Sequence, residues 1–484
     1  MPIPQDILAV ERPKNTRVKK FGERYLVIKR TCKRINGKNI PVELGTIGEI
    51  INNQYVELRK EPRKKKTDID IKDYGVHALF NNTCSQLFID LNNVFDTDIA
   101  KRIYIIALLR AIDNDIRNRD ISLSYETSFL SELFPGLALS ENTISKLLNK
   151  IGMEYRYIHR FITNRANFFE DKTQIIDGTL IDNNSTENSF SEFSRKAKTK
   201  GSKDLTLVYS FDIETKEPIA MKTYSGNMLD STSITDFLSS FEIKKALLVL
   251  DKGFYTKDNI KDFNSIEELS YIVPLKNSSK IIKDSNILGS INKHLKGYEE
   301  MILYDKIKLE ENKFLYGFKN LKDEYEQKIS YIAFNDKNDK FDGEKYNEKN
   351  NTFGVIVFES NKDLSPLEVY LAYLKRWEIE MMFKMMKEVL DLDTVNVHSD
   401  YSVIATEFIN YISVIMAQRV KQILRNKKIT TKNKKDIPLS EAFSFKQTMR
   451  YLSKLKKVRF GDSDKWVTIK SLKYINELAN ILGI

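Results

Sequence analysis

Residues 246–251 read Ala-Leu-Leu-Val-Leu-Asp, an apolar run that ends in a carboxylate. A short continuous apolar run of this kind is typical of a strand that is buried on both faces. The pattern predicts further strands over residues 173–182, 205–212, 218–224, 271–275 and 353–358. Because a helix predicted over 231–241 alternates with these strands and a long helix follows over about 366–390, the sequence indicates an α/β fold.

Asp251 has a counterpart in an earlier apolar run. The stretch Gln174-Ile-Ile-Asp177-Gly-Thr places a second carboxylate where a core strand is expected to end. A carboxylate at the carboxyl edge of such a strand faces the crevice in which α/β proteins often carry their sites. The alternative is an ordinary strand-ending turn, since Asp-Gly is also turn chemistry.

The long predicted helix carries four functional side chains in one stripe. Tyr373, Arg376, Glu380 and Lys387 stand at offsets of 0, 3, 7 and 14 residues, which fall within about 60° of one another at about 100° per residue. This stripe would present a metal-binding carboxylate between phosphate-binding donors, and Lys384 adds a further cation. The alternative is an amphipathic helix with ion pairs four residues apart, such as Arg376–Glu380.

The positive charge is concentrated at the two ends of the chain. The net charge is +11 overall, with +10 over residues 1–66 and +12 over 419–484 around an acidic middle. This distribution favours a polyanionic partner such as nucleic acid, with a solvated lysine-rich surface as the alternative. The chain has two cysteines, no apolar run long enough to span a membrane and no leader-like start. These features predict a cytoplasmic protein.

A helical region is predicted between the basic N-terminal segment and the α/β part. One helix is expected over 125–134 and another after Ser140, whose apolar face repeats at Ile144, Leu147, Leu148 and Ile151. Its opposite face is polar and includes Lys146 and Lys150. The pattern fits a helix-turn-helix that contacts DNA, although any helical hairpin would share it.

Taken together, these residues resemble the DDE transposases of bacterial insertion sequences. The stripe matches the Tyr-x2-Arg-x3-Glu-x6-Lys signature of that family, often abbreviated YREK. Asp177-Gly-Thr looks like its first acidic motif, and Asp251-x-Gly-Phe looks like its second. The resemblance covers roughly residues 17–425.

The resemblance implies an RNase H-like core with a mostly β insertion. Asp177, Asp251 and Glu380 of the core would form the catalytic triad and hold Mg²⁺ or Mn²⁺, expected as two ions. Tyr373, Arg376, Lys387 and Lys384 would then bind phosphate. Relatives that flip a base during hairpin formation use a tryptophan of the insertion. This chain has none there, so the resemblance leaves two expectations: Phe314, Tyr316 or Phe318 substitutes as a stacking surface, or the hairpin step differs.

The resulting expectation is a chain of six segments. These are a basic β-rich segment with a linker (1–70), a helical DNA-binding domain (71–170), the first part of the core (171–275), the insertion (276–350), the second part of the core (351–425) and a basic C-terminal region (426–484).

The expected function is that of a transposase that binds the terminal inverted repeats of its element and catalyses metal-dependent cleavage and strand transfer. The expected partner is double-stranded DNA, bound by a dimer, in a bacterial cytoplasm near the nucleoid. No GxxxxGK[ST] loop is present, so no nucleotide cofactor is expected. The alternatives are a domesticated transposase or nuclease without transposition, and a catalytically dead DNA-binding regulator.

Overall fold

The computed structural model describes residues 2–35, 38–58, 69–113, 116–185, 187–194, 203–228, 230–338, 340–430, 435–461 and 463–484. Contacts within the chain divide it into two compact units, Met1–Ile69 and Asp70–Ile484.

The first unit is a short helix and a four-stranded antiparallel sheet with strands in chain order. Its elements are α1 (Gln5–Ala9), β1 (Thr16–Phe21), β2 (Arg24–Ile35), β3 (Lys38–Ile51) and β4 (Gln54–Glu57). Strands β2 and β3 pair antiparallel, with Ile35 opposite Lys38. Residues 36–37 and 59–68, the latter in the part of the N-terminal segment where the linker is expected, lie outside the described residues.

The second unit begins within a strand whose first residue, Ile69, ends the first unit, and six helices follow. The elements are β5 (Ile69–Asp73), α2 (Gly75–Asn92), α3 (Thr97–Ile112), α4 (Ile121–Thr127), α5 (Leu130–Leu133), α6 (Glu141–Met153) and α7 (Tyr155–Phe168). The single helix expected over 125–134 is therefore wrong. Ser128 is extended between α4 and α5, because Asp73 of β5 forms a bridge with Ser128 and its carbonyl accepts from the Phe129 N–H at 2.8 Å.

A large mixed sheet follows, and its centre has the strand order β9-β8-β6-β10-β11. Strand β6 is antiparallel to β8 and parallel to β10, β8 is antiparallel to β9, and β10 is parallel to β11. The elements are β6 (Thr173–Asn183), β7 (Glu192–Phe193), β8 (Lys203–Asp212), β9 (Pro218–Ser225), α8 (Asp230–Ser240), β10 (Ala246–Leu250), α9 (Lys257–Asn264) and β11 (Leu269–Pro274).

The predicted insertion is mixed, so the expectation of a mostly β insertion is wrong. It contains α10 (Lys280–Ser285), α11 (Ile287–Ser290), β12 (Lys293–His294), β13 (Ile302–Glu310), β14 (Lys313–Asn320), α12 (Leu321–Lys337) and α13 (Gly343–Lys349). Helix α12 forms because the Asn320 side chain accepts from the backbone N–H groups of Lys322 and Asp323. Ion pairs from Glu324 to Lys319 and Lys328 add to it.

Strands β13 and β14 extend the large sheet through β15 (Val355–Ser360). Strand β14 pairs with β13 on one side and with β15 on the other. Its alternate residues Phe314, Tyr316 and Phe318 are all buried. They cannot offer a stacking surface to a DNA base, so the expectation that one of them does so is wrong.

Two long helices follow strand β15 in the chain. Helix α14 (Pro366–Lys384) starts at a capping box formed by Ser365 and Glu368 and continues as a π-helical turn over Met385–Val389. Strand β16 (Thr394–Val395) pairs with the end of β6 and leads to α15 (Asp400–Asn426). Tyr411 of α15 donates to the Ile219 carbonyl of β9 at 2.6 Å, while Phe408 packs on Phe161 of α7. Helix α15 thus joins the helical region to the sheet.

The C-terminal region returns to the start of the second unit. Its elements are β17 (Lys428–Thr430), β18 (Asp436–Pro438), α16 (Leu439–Ala442), α17 (Phe445–Leu452), β19 (Lys456–Phe460), β20 (Val467–Thr468) and α18 (Lys473–Leu482). Strand β19 lies between β20 and β5, and Arg459 forms an ion pair with Asp70 at 2.7 Å. Within the described ranges, no helix has the length and apolar character needed to cross a membrane.

Candidate active site

Two neighbouring parallel strands bring Asp177 and Asp251 to one place. In the β6–β10 pairing Leu250 lies opposite Ile176, and each aspartate is the next residue along its strand direction. Asp251 directly follows β10, as predicted. Asp177 instead lies within β6, opposite Tyr209 of β8. The strand predicted over 173–182 is confirmed by β6, whereas the expectation that a strand ends at Asp177 is wrong, because β6 continues to pair with β8 as far as Asp182.

Helix α14 supplies the third carboxylate, Glu380, and the group that connects all three. The Nη1 atom of Arg376 lies 3.6 Å from an Asp177 oxygen and 3.8 Å from an Asp251 oxygen. Its Nη2 atom lies 3.4 Å from a Glu380 oxygen. Side chains predicted separately from three sequence motifs therefore meet around one guanidinium.

The site is a half-open cluster with a buried cation at its centre. The Arg376 side chain is 13% exposed and that of Asp177 is 19% exposed, whereas those of Asp251 and Glu380 are each 43% exposed. Burial alone would lower the pKa of Arg376, but Asp251, Asp177, Tyr373 and Glu380 raise it above its ordinary value. The guanidinium is thus held as a cation by the carboxylates.

The donor set suits a hard divalent cation, because all three side chains offer carboxylate oxygens. In the described part of the chain, however, no three His, Cys, Asp or Glu side chains stand close enough together to hold a metal ion. The three carboxylates surround Arg376 instead. The residues fit Mg²⁺ or Mn²⁺ in their chemistry, and their present arrangement places a protein cation between them.

The other members of the predicted stripe flank this cluster. Tyr373 packs edge-on against Phe358 of β15, with 4.6 Å between ring centroids, and its ring lies 5.6 Å from the Arg376 Cζ atom. Lys387 donates to the Leu180 carbonyl of β6 at 2.5 Å. Lys384 is exposed and pairs with Glu388 at 3.7 Å.

Lys387 departs from the regular stripe. It lies in the π-helical turn that follows α14, so the projection at about 100° per residue no longer applies at this position. The side chain nevertheless reaches the strand that carries Asp177, three residues along β6 from that aspartate. The tertiary fold, rather than helical periodicity, places Lys387 beside the cluster.

Lys146 and Lys150 lie on helix α6, which carries none of the three carboxylates. As predicted, Ile144, Leu147, Leu148 and Ile151 are buried. Ser140 stands at the N-cap position, but its hydroxyl contacts the Thr143 hydroxyl at 2.8 Å instead of capping the backbone.

The polar face of α6 forms one wall of an open cleft of about 890 Å³, and residues 396–402 form the other. The two walls are joined where the Asn149 amide donates to the Ser399 hydroxyl at 3.2 Å. A Cβ on Gly152 would lie 1.9 Å from the Tyr401 carbonyl oxygen, so only glycine permits this close approach. Lys146 and Lys150 line the cleft.

The central position of Arg376 is the feature that sequence reasoning missed. The spacing of Arg376 and Glu380 did indicate an ion pair, which the structure contains at 3.4 Å. The contacts with Asp177 and Asp251 could not be read from spacing, because they depend on how α14 packs across β6 and β10.

Comparisons with known proteins give one match to a protein family. A family model described as a transposase DDE domain matches residues 169–406. No curated protein matches the chain.

Two solved structures are among those with similarity to this chain. A piggyBac transposase synaptic complex with hairpin DNA has 11% sequence identity and a TM-score of 0.41, with 86% of this chain and 87% of that chain covered. A Mos1 transposase paired-end complex with the left transposon end has 12% identity and a TM-score of 0.15, with 35% of this chain and 56% of that chain covered.

The matched residues 169–406 contain the strands and the helix that carry Asp177, Asp251 and Glu380. This match supports a DDE transposase.

Proposed function

We propose that the protein is a DNA transposase of the bacterial insertion-sequence group with the YREK signature. It binds the terminal inverted repeats of its element and catalyses metal-dependent strand cleavage and strand transfer. The observation that carries this proposal is the convergence of Asp177, Asp251 and Glu380 on one point, where the Arg376 guanidinium lies within 4 Å of all three.

The sheet supports an RNase H-like core as part of the proposal. Three antiparallel strands, β9, β8 and β6, are followed in the sheet by β10 and β11, which run parallel to β6. This arrangement sets the middle of β6 beside the carboxyl end of β10, where the two aspartates meet. Helix α14 then crosses this edge with Glu380, after a long insertion that itself adds strands to the sheet.

Asp177, Asp251 and Glu380 are the residues that would hold Mg²⁺ or Mn²⁺, in our proposal as two ions. When bound there, the metal would supply activation of a water molecule or a 3′-hydroxyl and stabilisation of the leaving oxygen in an in-line displacement at phosphorus. The protein's own task is to orient the DNA. Arg376 would grip a phosphate next to the scissile one through two parallel hydrogen bonds.

Neighbouring side chains would extend the phosphate contacts. Lys387 is fixed against β6 by its bond to the Leu180 carbonyl, which sets its ammonium group beside the strand of Asp177. Tyr373 supports the Arg376 guanidinium with its ring and could donate its hydroxyl to phosphate. Lys384, exposed on the same helix, would add a longer-range attraction.

The helical region would bind the DNA beyond the cleavage point. Lys146 and Lys150 are exposed and line the cleft beside α6. We propose that this cleft receives the DNA backbone of the terminal repeat. The basic segments 1–66 and 419–484 would add sequence-independent attraction to phosphate.

The complex that carries out the reaction is proposed to be a dimer on two DNA ends. Within this dimer we assign each chain the six segments expected from the sequence: 1–70, 71–170, 171–275, 276–350, 351–425 and 426–484. We propose that the complex acts in the bacterial cytoplasm, at the nucleoid. No nucleotide cofactor enters the proposal.

A reconstituted excision reaction tests this function. The substrate is a plasmid in which the DNA on both sides of the gene, with its inverted repeats, flanks a marker. A transposase releases the marker and joins it to a second plasmid with short direct repeats at the junction. Cleavage without joining would indicate a nuclease instead. Binding without cleavage would indicate a regulator.

A further inference from the structure

The Arg376 guanidinium lies where a cation shared by the three carboxylates would be expected. Its two terminal nitrogens are 3.4–3.8 Å from oxygens of Asp177, Asp251 and Glu380. The side chain is 13% exposed, so water replaces little of this interaction. The guanidinium therefore offsets part of the repulsion between three negative charges.

This arrangement and a bound divalent ion exclude each other. Mg²⁺ holds its oxygen ligands at about 2.0–2.1 Å, so ligands from three side chains must close around one centre. A guanidinium inside the same group of oxygens blocks that closure and repels the ion by like charge. Metal can bind at these carboxylates only after Arg376 has moved away from them.

We propose that Arg376 couples DNA binding to metal binding. In the DNA-free protein it is held by the carboxylates, and a DNA phosphate draws it out so that metal can enter. This inference rests on the proposed function, since it takes DNA as the ligand and the carboxylates as the metal site. It adds that the two ligands bind in a linked way through one side chain.

The chemistry of the two partners supports the exchange. Guanidinium forms paired, parallel hydrogen bonds with phosphate as readily as with carboxylate. Asp251 and Glu380 are each 43% exposed, so the cluster opens toward solvent on the side from which a phosphate can approach. The backbone of α14 need not move, because the long arginine side chain spans the change through its own rotamers.

Thermodynamic linkage between DNA and metal binding fixes the direction in which each ligand changes the affinity for the other. If DNA removes Arg376 from the carboxylates, DNA must tighten metal binding, and metal must tighten DNA binding by the same factor. Coupling between sites is typically about 5- to 150-fold. Removal of the guanidinium by mutation should tighten metal binding without DNA and remove most of the effect of DNA.

Trp377 provides a local signal for the test. It is 62% exposed and lies three residues before Glu380 on α14. The second tryptophan, Trp466, packs against Phe129 and Arg459 and can be replaced by phenylalanine. In a Trp466→Phe background, quenching of Trp377 by Mn²⁺ reports metal near the three carboxylates independently of cleavage.

The experiment compares Mn²⁺ titrations of the parent and Arg376→Gln, each with and without DNA. The DNA is a pre-cut terminal-repeat duplex that ends in a 3′-deoxynucleotide and cannot react, used at a concentration shown by gel shift to saturate each protein. Lys375→Gln is the matched control, because it removes the adjacent positive charge, which pairs with Glu214 at 2.5 Å.

We expect Arg376→Gln to bind Mn²⁺ at least about fivefold more tightly than the parent without DNA. DNA should tighten Mn²⁺ binding to the parent and to Lys375→Gln, but hardly to Arg376→Gln. Equal Mn²⁺ affinity of the parent and Arg376→Gln without DNA would overturn the coupling. The same holds if Lys375→Gln tightens Mn²⁺ binding as much as Arg376→Gln does.

Two further variants separate the failure of this inference from the failure of the proposed function. Asp177→Asn and Glu380→Gln should each weaken the quenching of Trp377 by Mn²⁺. If they do so while Arg376→Gln behaves like the parent, the coupling alone is wrong. If neither affects the quenching, the carboxylates are not the metal site, and both proposals are overturned.

Discussion

Glu217 is expected to hold the helical region against the sheet, and its replacement by alanine should be severely destabilising. The residue lies directly before β9 and is buried between two arginines. Arg165 of α7 forms an ion pair with it and donates to the Pro218 carbonyl at 2.8 Å. The Nε atom of Arg419 on α15 lies 2.5 Å from its other carboxylate oxygen. One carboxylate thus connects two helices and the sheet.

The size of the effect follows from the charges that the mutation would leave behind. The Arg165 and Arg419 side chains are 7% and 19% exposed. Removal of one partner from a buried ion pair typically costs about 3–5 kcal/mol. Because both arginines line a cavity of about 440 Å³ into which water can enter, we expect the lower end, about 3 kcal/mol.

Urea unfolding, followed by circular dichroism, measures this loss. Glu217→Gln is a useful second variant, because it keeps the shape and one acceptor and should lose less than Glu217→Ala. A loss below about 1 kcal/mol for Glu217→Ala, the value of an exposed ion pair, would refute the reasoning.

The same carboxylate predicts a dependence of stability on pH. Burial alone would raise the pKa of Glu217, but Arg165 and Arg419 lower it below the ordinary value. Since the pKa is lower in the folded than in the unfolded protein, Glu217 contributes its full stabilisation above about pH 4.3. This contribution is lost as the pH falls through the lower pKa of the folded state, and Glu217→Gln should lack it.

Two further predictions concern DNA. Arg376→Lys should cleave DNA far more slowly than the parent at an unchanged unfolding midpoint, because lysine keeps the charge but lacks the planar fork that grips phosphate; parent-like cleavage in a gel assay would argue against a phosphate role. Removal of residues 1–66, which carry a net charge of +10, should weaken DNA binding and flatten its salt dependence, since each phosphate contact contributes a slope of about −0.9 to log K against log salt. An unchanged slope in fluorescence titrations would assign that charge to another role.

Local patterns were sufficient to predict the strands and helices that carry the candidate site. The apolar run before Asp251 forms β10, and the long helix expected from residue 366 begins there at a capping box. Both signals are local, since they depend on burial of a continuous apolar run and on hydrogen bonds within a single turn.

Features set by contacts between distant segments were not predictable in this way. The place of Asp177 beside the end of β10 depends on the pairing of β6 with both β8 and β10. Lys387 leaves the helical stripe because α14 ends in a π-helical turn. Helix α12 forms in an insertion that was expected to be mostly β, and its start is fixed by the Asn320 cap. The contacts of Arg376 with two aspartates required the complete sheet.

The most direct test of the account is whether Asp177, Asp251 and Glu380 act together in metal-dependent DNA cleavage. The measurement is cleavage of a terminal-repeat duplex in Mg²⁺ by Asp177→Asn, Asp251→Asn and Glu380→Gln, beside a gel shift for binding. Glu378→Gln is the matched control: Glu378 is 45% exposed on the same helix and pairs with Lys216 at 3.1 Å, away from the cluster. The account predicts that each of the three variants binds DNA but does not cleave it, while Glu378→Gln cleaves like the parent and EDTA stops all cleavage. Substantial cleavage by any of the three, or parent-like cleavage in excess EDTA, would contradict it.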